Sequence, residues 1–315
     1  MRKMTYNTWK KGFLKGLETT WDLAKIVFPI TMLVSILKYT PVIDILSKML
    51  EPFMGFFGLS GETAIVLVLG NVLNLYAGIG AMLTMGLTVK EVYILSIMLS
   101  LSHTFIVETA ITTKIGVKPW IVALMRLGMG FLFAFILNIF WQGGQEKAQY
   151  LLPAATDQTL TAWSDIILSA AWTGVNSIIQ IAIIVIPVMI FIQILKDIEI
   201  LPLLAKLMSP FTRLIGVSDK TGVTLLAGLL FGIAYGAGVI IQTAKEENLS
   251  KKDIYLVSIF LVCCHAVIED TLIFAPLGIN VLYLLLVRIA LAFILTITTA
   301  NFWRAVEKRL QAKSA

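Results

Sequence analysis

Residues 102–109 read SHTFIVET and residues 264–271 read CHAVIEDT. These stretches hold the chain's two histidines, His103 and His265. Each histidine is followed by an acid, Glu108 or Asp270, and then a threonine, Thr109 or Thr271. The correspondence spreads outward at a constant shift of 162: Lys90, Tyr93 and Ser96 meet Lys252, Tyr255 and Ser258, and Gly116 and Arg126 meet Gly278 and Arg288. Upstream of four inserted residues near 242–248 the shift is 158. There Pro29 meets Pro187, the ILK of 36–38 meets that of 194–196, and Pro52-Phe53 meets Pro210-Phe211. Gly70, Gly78 and Gly80 meet Gly228, Gly236 and Gly238. The chain therefore holds two copies of one structural unit.

The unit is a membrane unit. Of 315 residues, 58% are hydrophobic and only 14% charged, and the mean hydropathy is +0.89. Successive apolar stretches near 20 residues predict an all-α polytopic membrane protein with the lipid bilayer as its first partner. The net charge of +6 comes from basic residues flanking apolar spans, the pattern expected beside anionic lipid. No stripe of arginine and aromatics points to nucleic acid. The basic N-terminal segment lacks a small-residue cleavage site, so it does not read as a cleaved signal peptide. Trp9, Phe13, Leu14 and Leu17 share one face there, as in an interfacial helix. The only cysteines, Cys263 and Cys264, are neighbours, and vicinal cysteines rarely pair.

Each half has the same order of parts. An apolar span (about 21–37, then 168–195) leads into an amphipathic stretch, PVIDILSKMLEPFMGFFG or ILPLLAKLMSPFTRLIG, expected to lie in the interface. A Gly-interrupted segment follows (62–84, then 221–243), then the histidine segment (91–113, then 253–275) and a closing span (119–141, then 281–303). The division expected is a basic interfacial helix at 1–20, a first repeat at 21–141, an extracytoplasmic linker at 142–165, a second repeat at 166–303 and a cytoplasmic tail at 304–315. With the N-terminus inside, re-entrant hairpins at both Gly-interrupted segments gather more lysine and arginine on the inner side than two further spans do. Each half then crosses three times, and an odd number inverts one repeat relative to the other. Inverted repeats with interrupted helices mark secondary transporters. Eight ordinary spans with glycine at packing contacts is the competing layout.

This layout resembles the nucleoside-recognition, or Gate, domain over roughly 20–303. The residues that carry the resemblance are GNVLNLYAGIGA (70–81) with SHTFIVET, and GLLFGIAYGAG (228–238) with CHAVIEDT. Such domains occur in concentrative nucleoside transporters, in the membrane region of ferrous-iron transporter B and in spore-maturation membrane proteins. The expectation is two inverted repeats in a bacterial-type inner membrane, with both termini cytoplasmic as the lysine and arginine distribution favours. The chain departs from it by lacking the acidic substrate motif of nucleoside carriers and the GTPase domain of iron transporters, so it does not fix the solute.

The candidate chemistry lies in the histidine segments. Ionisable groups at membrane depth are costly and usually face a cavity or a partner. His265 and Glu269 are spaced i,i+4 and would share a helix face, whereas His103 and Glu108 face each other only if the helix unwinds locally. The two clusters could line a solute or proton site, form a structural hydrogen-bonded network, or bind a transition metal through Cys263, Cys264, His265 and Glu269. No CxxC or HExxH spacing defines a metal set. Arg126 and Arg288 are expected to pair with Glu108 and Asp270 and cancel buried charge, or else to act as a gate. Asn71, Asn74 and Tyr235, at the hairpin tips beside Tyr76, can hydrogen-bond a neutral polar solute. No Ser-His-Asp order or metalloprotease spacing is present, so neither an enzyme nor a cofactor is expected. The function expected is a permease moving a small polar solute, nucleoside-like or other, by alternating access, with room for a coupling ion (proton or sodium) and a homo-oligomer. A transition-metal permease and a non-transporting scaffold are the alternatives.

Overall fold

The computed structural model describes residues 6–152, 162–198 and 201–314, with the side chains of 201, 202, 235, 313 and 314 outside that description. Among the described residues there are helices and loops and no strand, only an isolated bridge between Thr88 and Lys147. The first half runs α1 (Tyr6–Leu37), α2 (Pro41–Gly55), α3 (Ala64–Val72), α4 (Leu75–Met82), α5 (Val89–Ser102), α6 (Phe105–Lys114) and α7 (Pro119–Phe140). The second runs α8 (Trp163–Asp197), α9 (Leu201–Leu207), α10 (Ser209–Ile215), α11 (Gly222–Glu246), α12 (Lys251–Cys263), α13 (Glu269–Leu272) and α14 (Val281–Ser314). Five stretches of the described residues are long and apolar enough to cross a membrane: Tyr6–Leu37, Val89–Lys114, Pro119–Phe140, Trp163–Asp197 and Val281–Ala312. The protein is a polytopic helical membrane protein.

The equivalent helices α1 and α8 pack antiparallel. A Cβ added at Gly12 would stand 2.7 Å from the Cα of Ile190, and one at Gly16 would stand 2.9 Å from that of Ile186. Gly174 lies against the Phe28 ring. One residue number rises as the other falls, so the first helix of each repeat runs opposite to its counterpart. The two repeats are inverted. Glycine is required at 12 and 16 because the backbones approach too closely for any side chain.

Both Gly-interrupted segments fold back on themselves. In the first, α3 and α4 are separated at Leu73 and Asn74, and Asn74 caps α4 by accepting from the Ala77 N–H at 2.9 Å. A Cβ on Gly78 would lie 3.1 Å from the Cα of Gly70, so the two arms touch through their glycines. In the second, the break inside α11 falls at Gly232, with φ 76° and ψ 174°, a conformation open essentially to glycine alone. A Cβ on Gly236 would stand 3.2 Å from the Ala227 carbonyl oxygen. In a straight helix nine residues would separate these positions by about 13.5 Å. The arm starting at Asp219 meets α10 at a bend of 115°, so the amphipathic helix does not continue into the hairpin.

The structure sets four boundaries. The basic segment, described from residue 6 onward, is not a separate helix: α1 continues from Tyr6 through Leu37, because nothing between Leu17 and Leu23 breaks it and Gly12 and Gly16 are used in packing on α8. Trp9, Phe13, Leu14 and Leu17 form an exposed apolar face on it. The tail from 304 likewise continues α14 as far as Ser314. The second amphipathic stretch is two short helices, α9 and α10, parted at Met208, where Pro210 enters the first turn of α10. Both histidine segments are interrupted: α5 ends at Ser102 and α6 begins at Phe105, and α12 ends at Cys263 and α13 begins at Glu269. Of the expected linker 142–165, residues 153–161 lie outside the described residues. Its first part packs onto the protein: Tyr150 donates to the Met85 carbonyl at 2.7 Å, and the Leu151 N–H donates to Pro276 at 2.8 Å.

Candidate functional site

The site is built where each histidine segment breaks. Thr88 opens α5 with a capping box to Glu91, and Ser250 opens α12 by accepting from the Asp253 N–H at 3.0 Å. The same acids accept from the Ser60 and Ser218 N–H groups at 3.2 and 2.9 Å. These links fix each helix to the start of its own hairpin. The helices then stop at matching points. Thr104 and Ala266 take left-handed conformations, φ 51° and 39°, uncommon for residues with a Cβ. The freed N–H of Thr104 donates to the Gly70 carbonyl at 2.9 Å, and that of Ala266 to Gly228 at 3.0 Å. A side chain at Gly70 or Gly228 would strike Leu99 or Leu261. The glycines thus let each hairpin tip reach the break in its own histidine segment.

The breaks turn both histidines inward. His103 and His265 are buried, and their ring centroids are 5.2 Å apart. The His103 Nδ1 lies 2.7 Å from the Leu99 carbonyl oxygen, and the His265 Nδ1 lies 2.7 Å from that of Leu261. A carbonyl oxygen only accepts, so each Nδ1 carries its proton and donates. Each Nε2 then faces both acids. His265 Nε2 is 3.3 Å from Glu108 Oε1 and 3.3 Å from Asp270 Oδ2. The corresponding distances from His103 Nε2 are both 3.7 Å. The clusters of the two repeats converge on one centre.

The arginines hold that centre from behind. Arg126 is fully buried and donates to Glu108 and to the His103 carbonyl. Arg288 donates to the His265 carbonyl at 2.6 Å, to Thr271 at 3.2 Å and to Asp270 at 3.4 Å. The expected pairing of Arg126 with Glu108 and Arg288 with Asp270 is present in both halves.

Glu269 departs from expectation. It does not share a helix face with His265, because α12 ends at Cys263 and His265 lies in the turn before α13. Glu269 instead accepts from the Tyr76 hydroxyl across the repeat boundary. Asn74 lines the central cavity beside Tyr76. Asn71 turns away, its amide donating to the Leu67 carbonyl at 2.7 Å. The Tyr235 side chain lies outside the described residues. Cys263 and Cys264 are buried free thiols and do not join the cluster of metal-competent atoms, which among the described residues is His103, His265 and Asp270, all within 4.8 Å of one another. The cavity at the centre has a volume of about 120 Å³ and is bounded by both histidines, Glu108, Glu269, Asp270 and Tyr76.

Sequence reasoning missed the carbonyls of Leu99, His103, Leu261 and His265 as partners of imidazole and guanidinium. Only the i−4 spacing of Leu99 and Leu261 is a signal for them.

A family model described as Gate, nucleoside recognition, matches residues 20–118 and 178–280, one stretch in each half. The uncharacterized membrane protein YvoD of Bacillus subtilis (strain 168) is 46% identical over 310 residues, covering 97% of this chain and 99% of the relative. No solved structure matches the chain.

Proposed function

The chain belongs to the Gate nucleoside-recognition family, and from that premise we propose that it is a permease moving a small polar solute by alternating access between its inverted repeats. The observation that carries this reading is the central cavity, where two broken helices and two hairpin tips bring His103, Glu108, His265 and Asp270 together. Interrupted helices meeting at a repeat interface are how transporters expose backbone and ionisable groups to a solute at membrane depth. In this reading the hairpins are re-entrant, the membrane is a bacterial-type inner membrane, the termini are cytoplasmic and the linker faces the exterior.

The cavity volume of about 120 Å³ holds a few waters or a small hydrated solute. It is below the ~300 Å³ of the smaller ordinary ligand pockets, so a nucleoside would enter only after the repeats part. A thermal-shift screen of purified protein against nucleosides, organic anions and divalent metals would select solutes. Uptake of the selected solutes into proteoliposomes, above empty liposomes, is the expected result. Binding without uptake of any of them would overturn the permease reading in favour of a non-transporting membrane scaffold.

A further inference from the structure

We propose that the centre is a binding site for one first-row divalent transition-metal ion, held between the repeats by His103 Nε2, His265 Nε2 and Asp270 Oδ2 with Glu108 Oε1 beside them. The inference goes beyond the permease reading and does not depend on it.

The first ground is the pattern of hydrogen-bonding capacity. With each Nδ1 committed as donor to Leu99 or Leu261, a neutral imidazole offers only a lone pair at Nε2. Two such lone pairs face Glu108 Oε1 and Asp270 Oδ2, which also only accept. Arg288 donates to Asp270 Oδ2 at 3.4 Å and Arg126 holds the other oxygen of Glu108, but no donor faces the two Nε2 lone pairs, which stand 3.3 to 3.7 Å from Glu108 Oε1 and Asp270 Oδ2 and are repelled by them unless positive charge lies between. His265 Nε2, on a residue 1% exposed, has no hydrogen-bond partner.

The second ground is metric. Ligands at ~2.0–2.1 Å from a tetrahedral ion stand ~3.3–3.4 Å from each other. His265 meets both carboxylate oxygens at 3.3 Å, and His103 needs to move in by only a few tenths of an ångström from 3.7 Å.

The third is the surrounding shell. A metal-ligating histidine characteristically donates its other ring N–H to a carbonyl or carboxylate, fixing ring and tautomer. Both histidines do so. Glu108 gives Oε2 to Arg126 and keeps Oε1 for the centre. Imidazole with carboxylate suits zinc and its first-row neighbours.

The alternative source of positive charge is a proton on each Nε2. The test separates the two. Full-length protein in detergent is stripped with chelator, loaded with Zn²⁺, passed through gel filtration and analysed for metal. The expected result is about one Zn²⁺ per chain, and a tetrahedral-type visible d–d absorption when Co²⁺ replaces it. The His103→Gln/His265→Gln double variant, if monodisperse, should lose both signals. Zn²⁺ no higher than in a protein-free control, or a double variant that binds as wild type does, would overturn the proposal. If the double variant does not fold, the wild-type Co²⁺ spectrum decides alone, and no tetrahedral band overturns it. Uptake of solute by protein that retains no Zn²⁺ after loading would leave the permease reading standing without this site, and bound metal without any uptake would do the reverse.

Discussion

Tyr76, in the first hairpin, donates its hydroxyl to Glu269 of the second repeat, and the pair has no symmetry mate. The equivalent positions are Ala234 and Val107, which can form no such bond. Nearly every other polar contact of the centre occurs twice. A carboxyl group 4% exposed depends on its partners, and an unmatched buried acceptor costs roughly 1–3 kcal/mol. Tyr76→Phe should lower thermal stability in detergent by about that amount, and adding Glu269→Leu should recover part of it, since removing both partners removes the mismatch. A double-mutant cycle with no coupling would reject the pair as an energetic link.

Arg126 makes a sharper case. With the guanidinium fully buried against Glu108, removing one partner leaves an uncompensated charge at a cost of roughly 3–5 kcal/mol. Arg126→Leu should therefore express poorly or melt early. Arg126→Leu with Glu108→Gln should regain much of the loss. A double variant no better than the single would argue that Arg126 serves the His103 carbonyl more than the acid.

The α1–α8 contact predicts opposite outcomes for one substitution at two glycines. Gly16→Ala places a Cβ 2.9 Å from the Ile186 Cα, whereas at Gly238 an added Cβ meets nothing within 4 Å. The first should push the helices apart and destabilise by roughly 1–3 kcal/mol. The second should be near neutral or slightly stabilising. Equal melting temperatures would contradict the close antiparallel packing.

Topology can be read with a single thiol. In a background with Cys263 and Cys264 changed to Ala, Gln149→Cys puts a thiol on the exposed part of the linker. If both hairpins are re-entrant and the N-terminus is inside, an impermeant reagent should label it in intact cells. Labelling only after permeabilisation would reject that orientation.

The proposed transport site has its own series. His265→Gln and Glu269→Gln should abolish uptake of whichever solute is identified while leaving monodisperse protein, and His103→Gln should impair it. Replacing both cysteines with Ala should leave uptake near wild type, because neither thiol belongs to the central cluster. Retained uptake in the His265 and Glu269 variants would remove those residues from the path.

Much of the fold and of the centre is legible in the amino-acid sequence. The two shifts, 158 and 162, pair Arg126 with Arg288 and His103 with His265, and buried charge has to find buried charge. The glycines at 70, 78, 228 and 236 mark the two segments that fold into hairpins, although glycine at ordinary helix-packing contacts gives the same pattern. What the residues hide is set by backbone at the breaks. Reading CCHAVIEDT as continuous helix puts Glu269 beside His265, whereas the chain turns at Ala266 and sends Glu269 to Tyr76, 193 residues away. The sequence does not mark Thr104 and Ala266 as left-handed, since neither is glycine and both conformations are imposed by bonds to Gly70 and Gly228. The join of the basic segment to α1 is equally obscure, because its length is decided by α8, the helix it lies against.

Inversion also bears on how the chain enters the membrane. The two halves share a core, yet the insertion machinery must thread them in opposite senses, so the signals it reads cannot be duplicated. The loop between hairpin and histidine segment is where they diverge. In the first half it is LTMGLTVK, whose one lysine, Lys90, is buried and donates to the Asn138 carbonyl at 3.1 Å. In the second it carries the four extra residues and three lysines, Lys245, Lys251 and Lys252. Because the repeats are inverted, these loops lie on opposite faces, and lysine retained on the cytoplasmic side during insertion would orient the second half against the first. With that loop on the cytoplasmic side, the insertion that spoils the alignment of the repeats would be the address label that lets one sequence pattern be laid down twice, once in each direction.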